Sequence, residues 1–341
     1  MTKSYRVAVV GATGLVGGEM IQVLEERGFP VGELLPLASV KSLGSVVPFK
    51  DKDVDVQVAR PEAFEGVDIA LFSAGGAISK ELGPEAAKRG AVVIDNSSAW
   101  RMDPEVPLVV PEVNAHALAG YKAKNIIANP NCSTIQMVVA LAPLHAKAEL
   151  TRVTVSTYQA VSGAGREAMD ELREQVGLLF RGEDVEPNLF PHPIAFNAIP
   201  RIDVPDADGY TKEEWKMVHE TRKIMEHPEL PVTPTCVRVP VFNGHAESVV
   251  AEFKSPLSVE EAREVLRNGP GLFVQDDLEK DIYPTQIEVN GSDATCVGRI
   301  RPALGFENGL AFWCVADNLR KGAATNAVQI AEVLIRDYLK S

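Results

Sequence analysis

The sequence predicts a two-part chain: an N-terminal α/β domain with a doubly wound sheet, then an α+β domain on a mostly antiparallel sheet. Three observations predict this. Over residues 1–130 short apolar runs alternate with helical stretches, the signature of βαβ units and a parallel sheet. From residue 153 the texture changes to longer alternating strands. The tail, 325–339, is an amphipathic helix, and the first sheet still needs a cover, so the tail is expected to return to it. A chain of 341 residues is long enough for two domains of ordinary size.

The elements follow in order. Residues 6–10 read as a strand, 15–27 as an amphipathic helix, 34–38 as a second strand and 68–73 as a third. A helix over 80–89 and strands over 92–96, 107–110 and 125–128 complete the first part. In the second part, strands are expected over 153–159, 235–241, 248–254 and 312–316, with helices over 166–180, 212–225 and 259–268. No internal repeat or low-complexity segment interrupts this plan.

Charge and composition narrow the function. With 34 Lys and Arg against 47 Asp and Glu, the net charge is −13. Such a surface repels nucleic acid and anionic lipid, yet a few local cations can still dominate a pocket for a small anion. The longest apolar stretch, 137–144, falls far short of the ~20 residues that span a bilayer, and the N-terminus lacks a signal-peptide core. A cytoplasmic protein is expected, with no membrane or nucleic-acid partner. The four cysteines, Cys132, Cys236, Cys296 and Cys314, include no C-x-x-C pair, and no His or Cys pair has metal-ligand spacing. No metal is expected, and the last three cysteines read as reduced core thiols.

Directly after the first strand comes the loop GATGLVG at 11–17, opening a helix. Gly11, Gly14 and Gly17 allow a tight turn, and the backbone from Thr13 through Leu15 and Val16 can approach a phosphate at the helix start. A dinucleotide is expected there. Sheets that take NAD usually carry an acid at the end of the second strand to bond the ribose 2′-hydroxyl. Here Ser39, Lys41 and Ser42 stand instead, two hydroxyls and a cation, which suit the 2′-phosphate of NADP. A lysine merely solvated on a loop is the alternative.

Cys132 lies in NPNCST (129–134), between a strand and the apolar run IQMVVAL, so it falls at or within a turn of a helix N-terminus. The helix dipole there favours thiolate, whereas an ordinary thiol of pKa about 8.5 is only slightly ionised at neutral pH. Flanked by Asn131 and Ser133, it reads as a nucleophile rather than a core cysteine. In 211–214, Thr211 and Glu214 have capping-box spacing, which assigns Glu214 to its own helix and leaves Glu213 available. Glu213 and Lys216 share a helix face, where an exposed salt bridge is the alternative to a binding role.

GATGLVG, NSSAWRM (96–102), NPNCST, TYQAVSGAGREA (157–168), FPHPIAFNAIPRID (190–203), EEWKM (213–217), CVRVPVFNGHAES (236–248) and ADNLRKGAATNAV (316–328) together closely resemble the aspartate-β-semialdehyde dehydrogenase family, end to end and in order. The resemblance implies a Rossmann-type NADP-binding domain over 1–130 plus a returning segment 318–341. It implies a catalytic, substrate-binding and dimerisation domain over 131–317. It also implies reversible, phosphate-dependent oxidation of L-aspartate 4-semialdehyde to L-4-aspartyl phosphate through a thioester on Cys132. That step serves lysine, methionine, threonine, isoleucine and diaminopimelate synthesis. By position, His245 matches the acid/base histidine and Gln159 the glutamine that orients the reacting group. Arg238 suits the substrate carboxylate and Glu213 the amino group. Arg101 and Lys216 match the phosphate positions, with Asn131 assisting. Ser162, Gly163 and Asn318 match cofactor contacts. A homodimer or homotetramer is implied. Where the family often carries Arg-Ser after the second strand, this chain has Lys41-Ser42, a charge without a fork. An N-acetyl-γ-glutamyl-phosphate reductase, or a non-catalytic nucleotide-binding homologue, is the competing reading; the second would predict loss of the cysteine or histidine, and both are present.

Overall fold

The computed structural model describes residues 3–339, which form two compact units. One comprises the chain up to Asn131 together with the segment from Ala323 onward; the other is Cys132–Gly322. Residues 318–322 therefore stay in the second unit.

In chain order the first unit holds β1 (Tyr5–Val10), α1 (Leu15–Glu26), β2 (Val31–Ala38), β3 (Val46–Phe49), β4 (Lys52–Asp55), β5 (Gln57–Val58), β6 (Ile69–Phe72), α2 (Gly76–Lys88), β7 (Val92–Asp95), α3 (Pro111–Asn114) and β8 (Ile126–Ala128). The second holds α4 (Cys132–Ala148), β9 (Leu150–Gln159), α5 (Arg166–Phe180), α6 (Lys212–Ile224), β10 (Val232–Arg238), β11 (His245–Phe253), α7 (Val259–Arg267), β12 (Leu272–Val274), β13 (Thr295–Pro302) and β14 (Gly309–Ala316). The final helix, α8 (Thr325–Asp337), belongs to the first unit.

The first sheet runs β5-β2-β1-β6-β7-β8, every neighbouring pair parallel. This is a doubly wound order, with the direction of winding reversing beside β1. Alternation splits the strands between two faces: Val7, Val9, Ile69 and Leu71 share a buried cluster with Met20, Ile21 and Leu24 of α1 and with Val328, Ile330, Ala331 and Leu334 of α8. The tail thus covers the same sheet face as α1, as its apolar stripe predicts. The expected strand at 107–110 is only a bridge, Leu108 to Ala128. Pro107 lacks an N–H and Pro111 already opens α3, so there is no room for a longer ladder. The helix expected from residue 80 begins at Gly76; Gly75 and Gly76 disguised its first turn as loop.

The second sheet runs β10-β9-β11-β14-β13-β12. β9–β11, β11–β14 and β13–β14 are antiparallel, while β9–β10 and β12–β13 are parallel, so the sheet is mixed around an antiparallel centre. β10 ends at Arg238 rather than 241, because Pro240 cannot continue the ladder; Pro234 is tolerated inside it because β10 is an edge strand. β13, missed in the sequence, carries Gly298 and a register shift that blur its alternation. α4 packs on one face of this sheet. On the strands the other face presents the half-buried Ser156, Tyr158, Ser248, Val250 and Trp313.

Candidate active site

Three strands of the second sheet deliver their side chains to one edge. Gln159 closes β9, Arg238 closes β10 in register with it, and His245 opens β11, whose next residue Ala246 pairs with Tyr158. Because β10, β9 and β11 are neighbours, residues 79 and 86 positions apart from Gln159's end of the chain are brought side by side by register alone. Cys132 is the first residue of α4, at the end of the helix where the aligned peptide dipoles present partial positive charge. It is half-buried, whereas the other three cysteines are buried. Gly322 lies against it: a Cβ there would come within 2.8 Å of the Cys132 Cβ.

His245 is fully buried. Its Nδ1 accepts a hydrogen bond from the Ala160 N–H at 3.0 Å, so the neutral ring carries its proton on Nε2. Burial foremost, and then the charge of Arg238, push its pKa down to about 3. Among the described residues, nothing in the protein bonds Nε2. The same peptide holds the arginine: Arg238 Nη1 donates to the Ala160 carbonyl at 2.6 Å. Burial lowers the Arg238 pKa, and the neighbouring Glu213 foremost, then Cys132, oppose that shift. Gly163 packs between the two; a Cβ would sit 3.0 Å from Arg238 Nη1 and 3.1 Å from His245 Nε2.

Gln159 donates to Glu213 Oε1 at 3.0 Å and accepts from the Thr157 hydroxyl at 3.1 Å. The sequence left Glu213 available; in the structure it is buried and already engaged, its Oε2 paired with Lys216 Nζ at 2.9 Å. The salt bridge allowed by their spacing has formed. Burial works against the charge on Lys216, but Glu213 and Asp203 together outweigh it and raise its pKa. Asn318 accepts from the Gly244 N–H at 2.9 Å and donates to Ser162 Oγ at 2.9 Å, fixing the turn that precedes His245.

Glu214 closes the capping box with Thr211, as its spacing predicts, and its other oxygen accepts from the buried Cys236 N–H at 3.0 Å. Glu214→Ala therefore removes half a cap and strands a buried donor. A loss of about 2–3 kcal/mol in unfolding free energy is expected, read from the denaturant midpoint. An unchanged midpoint would contradict this assignment.

One strand step beneath this row lie Thr157, Cys236 and Glu247, and one helical turn below Cys132 lies Gln136. Glu247 is fully buried, and burial holds its carboxyl well above the usual range, with Gln136 partly opposing. Burial also pushes up the thiols of Cys236 and Cys314, and that of Cys296 to about 11, so none offers a thiolate. Sequence reasoning missed Glu247, Gly322 and the Ala160 backbone. Only the strand period two residues past His245 could have pointed to Glu247.

The first unit holds the remaining residues. Gly11 adopts φ 85°, and a Cβ there would lie 2.3 Å from the Ser73 carbonyl oxygen. A Cβ on Gly17 would approach the Gly11 carbonyl oxygen to 2.1 Å. Gly14 caps α1 with no side-chain bond, and no acid stands in the first turn opened by Leu15 and Val16. Thr13 Oγ1 and Ser42 Oγ are 3.1 Å apart, joining the glycine loop to the turn after β2, where Ser39 and Lys41 are exposed. Bare backbone, an open helix start and a second strand that ends without an acid fit a dinucleotide phosphate. Arg101 is buried in this unit, its Nε donating to the Asn129 carbonyl at 3.0 Å and Nη2 to the Asn96 carbonyl at 2.9 Å. Asn131 is buried at the unit's end. Among the described residues, no group of three or more His, Cys, Asp or Glu could hold a metal, and no helix is long and apolar enough to cross a membrane.

Comparison with known proteins bears on both units. Residues 6–121 match the family described as semialdehyde dehydrogenase, NAD binding domain, and residues 141–321 match semialdehyde dehydrogenase, dimerisation domain. An aspartate-semialdehyde dehydrogenase of Aquifex aeolicus is 58% identical over 337 residues, covering 98% of this chain and 99% of that protein. One of Legionella pneumophila is 52% identical over 340 residues, covering 99% and 98%. The crystal structure of aspartate semialdehyde dehydrogenase II complexed with ASA from Vibrio cholerae superposes with a TM-score of 0.97 at 50% identity, covering 99% of this chain and 100% of that one.

Proposed function

The chain belongs to the aspartate-semialdehyde dehydrogenase family, and from that premise we propose that it interconverts L-aspartate 4-semialdehyde and L-4-aspartyl phosphate, using phosphate and NADP. The observation that carries this reading is the row of Gln159, Arg238 and His245 at the ends of three neighbouring strands, in the same unit as Cys132 at the start of α4. The reaction would serve lysine, methionine, threonine, isoleucine and diaminopimelate synthesis.

In the biosynthetic direction the Cys132 sulfur attacks the acyl-phosphate carbonyl, phosphate leaves, and a thioester remains on the protein. The dinucleotide, when bound, supplies the hydride that reduces this thioester. The resulting thiohemiacetal expels the Cys132 thiolate and frees the aldehyde. At each tetrahedral stage negative charge collects on the former carbonyl oxygen. A neutral imidazole with its proton on an Nε2 that no described residue bonds is suited to donate to that oxygen. His245 thus enters as a hydrogen-bond donor through a broad neutral range, its Nδ1 tied down by Ala160. Arg238 offers its guanidinium to the α-carboxylate, and Glu213, held by Gln159, the acceptor for the amino group. Lys216 and Arg101, with Asn131, take the phosphate.

The first unit is proposed to bind the cofactor through Gly11, Thr13, Gly14, Leu15 and Val16, with Ser39, Lys41 and Ser42 on the 2′-phosphate. Ser162, Gly163 and Asn318 are assigned to the nicotinamide end. The second unit carries catalysis and dimerisation. The half-buried face around Tyr158 and Trp313, whose rings stand 5.3 Å apart and which the chain around Pro284 and Val289 covers only in part, supports a homodimer, or a tetramer built from it.

The decisive assay is phosphate-dependent reduction of NADP with aspartate semialdehyde, expected to proceed, against N-acetylglutamate semialdehyde, expected to fail; the reverse outcome would assign the chain to the other acyl-phosphate reductase. For the cofactor, Lys41→Ala is expected to weaken kcat/KM for NADP by about 10- to 150-fold and leave NAD nearly unchanged, at one fixed ionic strength. Equal losses for both would end the 2′-phosphate assignment.

A further inference from the structure

Asp203 closes the stretch 190–203 with a left-handed backbone, φ 69°, a conformation that glycine, asparagine and aspartate tolerate best. Its two oxygens have separate duties. Oδ1 accepts from the Val204 N–H at 2.8 Å, and Oδ2 accepts from Lys216 Nζ at 3.2 Å. Lys216 therefore stands between two carboxylates, and they are unequal. The Glu213 side chain is 7% exposed and bonds at 2.9 Å, whereas that of Asp203 is 34% exposed and bonds at the longer distance. Asp203 also lines, with Arg201, Arg238, Phe190 and Asn188, a cleft of about 550 Å³, large enough for a small ligand.

We propose that Asp203 is a displaceable counter-ion that sets the phosphate affinity of the Lys216 site; this rests on the reading of Lys216 as a phosphate-binding residue. In the resting site the ammonium is neutralised from both sides. Glu213 is buried and also bonded by Gln159, so it stays. The bond to Asp203 is long and partly solvated, so it is the one that an incoming phosphate oxygen replaces. A carboxylate left beside a phosphate dianion repels it, and the affinity of the site is lowered by whatever displacing Asp203 costs. The same competition disfavours monoanions, which gain less from Lys216 than Asp203 does. Asp203 touches no reacting atom and acts through Lys216, as a specificity-determining residue.

Asp203→Asn keeps the size, the left-handed backbone and the acceptor for Val204, and removes only the charge. With saturating semialdehyde, the KM for phosphate is expected to fall about two- to five-fold, the range an exposed ion pair supports. Inhibition by chloride, competitive with phosphate, should strengthen. The dinucleotide KM and the unfolding midpoint serve as controls and should not move. Asp203→Gly, which also accepts a left-handed backbone, should shift phosphate KM in the same direction should the asparagine variant fold poorly. A phosphate KM that is unchanged or raised in a folded variant would overturn the proposal. Lys216→Ala separates the two layers. A large rise in its phosphate KM, with no further effect of Asp203→Asn on that background, supports both. No rise would overturn the Lys216 reading and the proposal with it. A rise in Lys216→Ala without a fall in Asp203→Asn would overturn the proposal alone.

Discussion

Cys132→Ala is expected to lower turnover in both directions by at least about a hundred-fold, and by several orders of magnitude if the thiolate carries the reaction as proposed, because no other cysteine can take its place. Cys236, Cys296 and Cys314 are buried with their thiols pushed toward the protonated form, and none begins a helix. The variant should still bind dinucleotide as the wild type does, since the glycine loop and β2 are untouched. A second readout is chemical. Brief alkylation of the native protein should label Cys132 first and inactivate in proportion, while Cys132→Ala should take up little reagent until it is denatured. Residual activity above about a hundredth of wild type, or rapid labelling of the variant, would place the nucleophile elsewhere.

His245→Asn is expected to lower kcat by about 10²- to 10⁴-fold, the usual worth of a positioned proton donor. It also has a thermodynamic signature. The imidazole titrates near 6.5 when unperturbed and about 3 in the fold, so below pH 6.5 the unfolded chain binds a proton that the native state refuses. Stability then rises with pH in this window and falls on acidification, by up to about 1.4 kcal/mol per unit between pH 6.5 and 3. Above pH 6.5 both states are neutral and the effect vanishes. Glu247 contributes with the opposite sign, since its carboxyl is kept protonated in the fold, so the quantity to measure is the difference between wild type and His245→Asn by denaturant unfolding at each pH. That difference should shift against the wild type as pH falls from 6.5 to 3. A flat difference would mean that the ring is solvated and free to ionise.

Much of this was legible in the sequence because it depends on local pattern. The glycine loop, the Thr211–Glu214 cap and the start of α4 at Cys132 are each set by a few adjacent residues, and the structure has them where the pattern puts them. The tail helix was predicted from its stripe and the need of the first sheet for a cover. What local pattern could not convey was pairing. Gln159, Arg238 and His245 could be named only through family resemblance; that they converge follows from β9 pairing with β10 on one side and β11 on the other. The same blindness hid Ala160, whose side chain does nothing while its peptide holds both Arg238 and His245. It also made Glu213 look available, since Gln159, 54 positions away, was not known to reach it.

The discontinuity of the first unit has a kinetic consequence. Its sheet is encoded before residue 131, but the helix that seals one of its faces is encoded beyond residue 322. During synthesis the whole of Cys132–Gly322 is made in between, and at 5–20 residues per second that interval is on the order of 10–40 seconds. Through that time the positions that Val328, Ile330, Ala331 and Leu334 will cover on the sheet stay uncapped. The second unit, continuous in the chain, can be finished first, and the cofactor fold is then closed by the last helix to appear. A chain truncated after Gly322 and released should therefore contain a protease-resistant second unit beside a first unit that is still cleaved, and the full chain, with α8, should resist at both.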